Sequence, residues 1–212
     1  MISRRNLLIS GAIACSSPSL FAAQTYTAGK EYLMVNPPAP TLNNKIEVVE
    51  FFAYTCPHCL RFYPVFHDWS QHVASDVVVT LCPVAWNKTY EPFSRTFYAL
   101  KALNKFDDLN LPFFESVIYQ TQKYEAATLV DDIASFMVNH GVDHDQWLQT
   151  FNSFGVMSKA QQADSLWKSY QIDSTPMIGV GGLYSTGPHL VGSRERTPEC
   201  IDYLINEVRK SR

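Results

Sequence analysis

The chain lacks the features that would tie it to nucleic acid or to a bilayer. It carries 17 Lys and Arg against 20 Asp and Glu, a net charge of −3 over 212 residues. With no basic surplus, nucleic acid and anionic lipid are not the expected partners. No stretch is long and apolar enough to cross a membrane. There is no internal repeat and no low-complexity tract. Cysteine is sparse, at five residues, and just two of them stand close together, with no second Cys or His pair to complete a zinc site. What the chain does have is apolar material. Hydrophobic residues make up 46% and aromatics 13%, enough for a sizeable core in one large domain or one domain carrying an insert.

The start, "MISRRNLLISGAIACSSPSLFAAQ", has Arg4 and Arg5, a short apolar run from Leu7 to Cys15, and small residues at Ala22 and Ala23. This reads as a secretory signal over residues 1–22, cleaved near Ala22, with Ala23 as the alternative. "SRRNLL" fits a twin-arginine route about as well as the general one. Cleavage removes Arg4 and Arg5, leaving 15 cations against 20 acids and a net charge of −5. It also removes Cys15, leaving Cys56, Cys59, Cys82 and Cys200 in a compartment that permits disulfides.

Residues 46–53, "IEVVEFFA", are an apolar, β-branched and aromatic run, the pattern of a strand buried on both faces. After Cys59, Phe62, Phe66, Trp69 and Val73 recur on one face of a helix, which Pro64 is expected to kink. Residues 76–86 read as a second buried strand, so 46–86 form a right-handed β–α–β unit with a parallel pair. Residues 176–186 read as a hairpin turning at Gly181-Gly182. A last helix spans 197–212, with Thr197 as N-cap and Pro198 behind it. Between Trp86 and Thr175 the periodicity predicts five helices, near 90–104, 111–120, 126–140, 144–152 and 156–170. They suggest an all-helical subdomain over 87–170, set into an α/β domain made of 23–86 plus 171–212.

Cys56-Pro57-His58-Cys59 stands where the central strand hands over to the helix. Zinc would need further ligands, and His67 and His72 lie about 140° apart around their helix. Covalent haem would need His at position 60, which is Leu60. A structural bridge closing so small a loop constrains the unfolded chain little. Redox chemistry explains the placement. At a helix start Cys56 meets unpaired N–H groups and the positive end of the helix dipole, which stabilise its thiolate. A protonated His58 would add charge. Cys59, one turn in, should be the buried resolving thiol. A stabilised thiolate favours the reduced form, so the disulfide becomes a stronger oxidant. Thr175-Pro176 precedes a strand facing this junction. A cis bond there would offer the Thr175 backbone to a peptide at Cys56. Glu50, in the buried strand, is placed to exchange a proton with Cys59.

"VVEFFAYTCPHC", a helical insert of about ninety residues, "STP" before a hairpin, and a terminal helix together resemble the DsbA family of periplasmic thiol:disulfide oxidoreductases. The resemblance covers essentially the whole chain after the signal. It implies a thioredoxin fold interrupted by helices, and donation of a disulfide to exported proteins that have free cysteines. It implies reoxidation by a DsbB-like inner-membrane quinone reductase, and no metal or organic cofactor. Carried onto this sequence, Cys56 is the nucleophile, Cys59 its partner and His58 the thiolate-stabilising histidine. Pro57, Thr175 and Pro176 position the substrate, and Glu50 is the buried acid. Thr175 stands where the best-known members carry valine. Cys82 and Cys200 are expected as buried free thiols rather than a second bridge, and the protein as a monomer in the periplasm. Two rival readings stand beside this one. One is a reductase or isomerase on the same fold, which the 20-odd residues before the first strand give no dimerisation segment. The other is a peptide-binding holdase using Phe93, Phe97, Tyr98, Phe113 and Phe114.

Overall fold

A computed structural model describes residues 25–41 and 45–212. The segment expected to be a signal, residues 1–22 with Cys15, lies outside the described residues. Five strands form one mixed sheet in the order β1-β5-β4-β2-β3. β2 (Ile46–Phe52) is buried at every position. It pairs in parallel with β3 (Val77–Pro83) and antiparallel with β4 (Met177–Val180). α1 (Pro57–Ser70) is the crossover between β2 and β3 and runs unbroken through Pro64. β4 turns into β5 (Tyr184–Thr186) through Gly181 and Gly182, both at positive φ. A Cβ on Gly182 would sit 2.4 Å from the Ala39 carbonyl oxygen, so this tight turn requires glycine.

Alternation along β2 sorts the core. Ile46 and Val48 face α1 and the terminal helix, in a cluster with Phe62, Phe66, Cys200 and Leu204. Val49 and Phe51 face the other way, toward Cys82, Ala163 and Tyr170. Phe52, at the strand's end, joins a third cluster with Tyr54, Cys59, Phe97, Phe113 and Trp147. That cluster is built from α2 (Glu91–Ala102), α3 (Phe106–Tyr119), α4 (Leu129–Asn139) and α5 (His144–Phe151). α6 (Phe154–Ser169) returns along the sheet, α7 (Pro188–Val191) is one turn, and α8 (Thr197–Lys210) closes the chain. Of the aromatic side chains offered as a holdase groove, Phe93, Phe97, Phe113 and Phe114 are buried in that third cluster, and Tyr98 packs against it half-buried.

Four expectations are corrected. β1 (Tyr32–Met34) was not foreseen; it is three residues long and exists by pairing with β5 across the chain. β3 is an edge strand and only half-buried over Val78–Leu81, not buried throughout. α3 begins at Phe106, five residues before the expected start, and takes Pro112 into its interior. Thr197 is the first helical residue of α8 rather than its cap, which is Arg196; the Thr197 hydroxyl donates to the Ser193 carbonyl instead.

Candidate active site

Cys56 is the N-cap of α1, with extended backbone (φ −102°, ψ 108°). It is held there by its own N–H, which donates to the Ala53 carbonyl at 2.9 Å, and by the first helical bond, Cys59 N–H to Cys56 O at 3.1 Å. Pro57 opens the helix, where a missing amide hydrogen costs nothing. Both cysteines are free thiols in this structure; Cys56 is half-buried and Cys59 is buried.

The surroundings push the two thiols in opposite directions. The Cys56 thiol is lowered to about 5. A hydrogen bond from Cys59 is the largest cause; desolvation opposes it, and Thr175 and the main-chain N–H groups of Cys59 and His58 reinforce it. Cys59 is driven far above the ordinary thiol range, first by burial, then by its bond to Cys56 and the charges of Cys56 and Glu50. One turn of helix thus separates a thiolate from a thiol that keeps its proton.

His58 contributes its main-chain N–H to Cys56. Its imidazole is exposed, and Nδ1 accepts from the Arg61 guanidinium at 3.1 Å, since arginine can only donate. The Thr175–Pro176 peptide bond is cis, and the Cys56 sulfur lies 3.2 Å from the Thr175 carbonyl oxygen, to which it donates only when protonated. His58, Arg61, Thr175, Pro176 and His189 line a groove of about 730 Å³ beside the sulfur. On the other side of the CPHC segment, Thr55, Pro57, Tyr90, Phe93 and Tyr124 line a depression of about 520 Å³.

Glu50 lies beneath the pair, 2% exposed, facing Leu81 of β3 and Ile178 of β4 across the sheet. Burial, then the charge on Cys56, raises its carboxyl to about 8. A cavity of about 10 Å³, room for one water, is lined by Glu50, Cys59, Tyr63 and Asn110. Sequence reasoning missed Tyr54, Asn110 and Arg61. Tyr54, two residues before Cys56, donates its buried hydroxyl to Asn110 of α3 and so ties the junction to the helices. The one available signal was a tyrosine inside an otherwise apolar run, which needs a partner when buried. No group of three or more His, Cys, Asp or Glu converges on a metal site among the described residues.

A family model described as Thioredoxin matches residues 41–193. A protein of Bordetella parapertussis named thiol:disulfide interchange protein DsbA is 35% identical over 202 residues, covering 94% of this chain and 95% of the relative. The DsbA of Pseudomonas aeruginosa is 33% identical over 208 residues, 97% of each. Its crystal structure superposes with a TM-score of 0.80 at 32% identity, covering 88% of this chain and 96% of that one. The oxidoreductase NmDsbA1 of Neisseria meningitidis superposes with a TM-score of 0.75 at 26% identity, covering 86% and 94%.

Proposed function

The chain belongs to the DsbA family of thiol:disulfide oxidoreductases on a thioredoxin fold, and from that premise we propose that it donates a Cys56–Cys59 disulfide to exported proteins in the periplasm. The observation that carries this direction is the split between the two thiols, Cys56 down to about 5 and Cys59 pushed up. At neutral pH the reduced protein holds a stable thiolate on Cys56. That stability makes the disulfide the more eager electron acceptor, by some tens of mV once solvent screening of a half-buried sulfur is allowed for.

A substrate thiolate attacks Cys56 Sγ of the disulfide, and the Cys56–Cys59 bond breaks. The electron pair leaves on Cys59, which takes a proton with Glu50 as the nearest buried donor. The mixed disulfide lies against Thr175-Pro176, where the Thr175 carbonyl faces the sulfur. A second substrate thiolate attacks the substrate's own sulfur and expels Cys56 as a thiolate. Two electrons pass from substrate to protein, and the substrate leaves with a disulfide. His58 acts through its main-chain N–H, with its ring held by Arg61. Pro57 starts the helix that lowers Cys56. A DsbB-like quinone reductase of the inner membrane returns the protein to its disulfide form. On this reading residues 1–22 are the export signal, 23–86 plus 171–212 the redox domain, and 87–170 an inserted helical domain that roofs Cys56. The protein works as a monomer.

The test is the redox equilibrium of the purified protein against glutathione, followed by tryptophan fluorescence. The expected result is an equilibrium far toward the dithiol. An equilibrium toward the disulfide would leave a reductase and overturn the direction proposed.

A further inference from the structure

The two depressions that flank the CPHC segment differ in charge. In the one of about 520 Å³, Lys123 and Glu125 neutralise each other at 2.8 Å. The groove of about 730 Å³ on the Thr175 side has no such balance. Among the described residues its cations are Arg61 and Arg194, and its one acid is Glu195. Glu195 is already engaged, 3.7 Å from the Arg194 guanidinium and accepting the Ser193 hydroxyl at 2.9 Å. Asp173 accepts the Ser174 hydroxyl at 3.0 Å and does not line the groove.

Arg61 is left over. It is exposed, it has no ion-pair partner among the described residues, and its hydrogen bond goes to His58 Nδ1 at 3.1 Å. That bond uses one of five guanidinium N–H groups and leaves the rest for a ligand. The other two ionisable groups of the lining, His58 and His189, are imidazoles, which add positive charge or none. The groove therefore carries a positive surplus on a chain with 20 acids against 17 cations. It also begins at the reacting atom, since the Thr175 carbonyl stands 3.2 Å from Cys56 Sγ.

We propose, on the premise of the disulfide donation above, that this groove selects substrates by charge: the preferred segment carries Asp or Glu beside its reactive cysteine, and Arg61 receives that carboxylate. In the mixed disulfide the substrate is bonded to Cys56 Sγ, so residues next to its cysteine pass over Thr175 and Pro176 into the groove. A guanidinium suits a carboxylate because its N–H groups match the two oxygens. The charges are exposed, so the gain is modest and sensitive to salt, and it appears as a rate preference.

The experiment uses the oxidised protein and three dithiol peptides of one length, with Glu, Gln or Lys on both sides of the first cysteine. Each oxidation rate is divided by the rate of the same protein with dithiothreitol, which removes any change in the intrinsic reactivity of Cys56. Comparing one peptide across variants removes differences between the peptide thiols. Arg61→Gln should lower the normalised rate of the Glu peptide about two- to fivefold at low salt, raise that of the Lys peptide and leave the Gln peptide unchanged. The effect should fade at about 0.5 M salt. Arg194→Gln, which leaves Glu195 unopposed, should act in the same direction. Lys88→Gln removes an equal charge outside the groove and should leave all three rates as they were. A Glu-peptide rate that Arg61→Gln does not lower overturns the selection, and an equal fall with Lys88→Gln overturns its assignment to this groove. Failure of the unaltered protein to oxidise any of the peptides is a separate result, which overturns disulfide donation itself.

Discussion

Four cysteines in one fold divide into two pairs, and the pairs share little beyond the residue type. Cys56 and Cys59 sit where a buried strand passes to a helix. Cys82 and Cys200 sit in two different core clusters, one on each face of the sheet. Burial raises the Cys200 thiol to about 11 and the Cys82 thiol further still. Their hydrogen-bond partners are the Ala163 carbonyl for Cys82 and the Thr186 hydroxyl for Cys200, at 3.6 and 3.5 Å. Placement decides the chemistry. Burial alone makes cysteine an inert apolar residue. A helix start with free N–H groups and a neighbouring thiol makes it a nucleophile.

The largest way to break this comparison is to exchange the roles. Cys56→Ser should lower the rate of substrate dithiol oxidation by about 10³-fold or more. Cys82→Ala and Cys200→Ala should leave that rate unchanged in the same assay. A comparable loss from either core cysteine would end the distinction.

Glu50 and Cys56 offer a sharper contrast, because their shifts have opposite signs. Glu50 binds its proton more tightly folded than unfolded. Its contribution to stability is therefore full at low pH and declines as pH rises from about 4.5 to about 8. Cys56 is depressed, so the reduced protein gains stability from it as pH rises from about 5 to about 9. The two slopes oppose each other in their shared window. Glu50→Gln should remove the falling slope and stabilise the reduced protein at pH 7 by about 2 kcal/mol, after allowance for the imperfectly bonded amide. Denaturant titrations of both proteins between pH 5 and 8 measure this. A constant difference across that range would show that Glu50 is not held protonated.

Cys59 enters the Cys56 environment as its largest stabilising contact. Cys59→Ala should raise the Cys56 midpoint by about one pH unit or more while leaving it below an ordinary thiol, since the bonds from the Thr175 side chain and the main-chain N–H groups remain. A midpoint unmoved by the substitution would assign the whole effect to the helix start. The smallest effect belongs to the core pair. Cys82→Ala and Cys200→Ala should each cost about 1–2 kcal/mol of stability, read as a drop of a few degrees in Tm.

The junction was legible because its signals are local. A run of buried-strand residues, two cysteines one helical turn apart and a proline before a short strand can each be read within a dozen positions. The hairpin at Gly181-Gly182 was legible for the same reason, since two successive positive-φ residues call for glycine. What escaped was set by distant partners. Tyr32–Met34 has no strand signature of its own and becomes β1 through Thr186, Ser185 and Tyr184. Leu109 and Asn110 precede Pro112 and read as a loop before a helix. They are helical because both are buried in the bundle, with Asn110 bonded to Tyr54. The exposure of β3 depends on its being last in the sheet, an order no pattern within Val77–Pro83 records. At the site, the partnership of His58 with Arg61 is an i,i+3 pair visible in principle.

Disulfide donation by this chain depends on a thiolate at Cys56, and the most direct measurement is the rate of iodoacetamide alkylation of the fully reduced protein as a function of pH. A midpoint near 5 for Cys56, with Cys59, Cys82 and Cys200 unreactive across the range, is the expected result. A Cys56 midpoint in the ordinary thiol range, near 8.5 to 9, would contradict it.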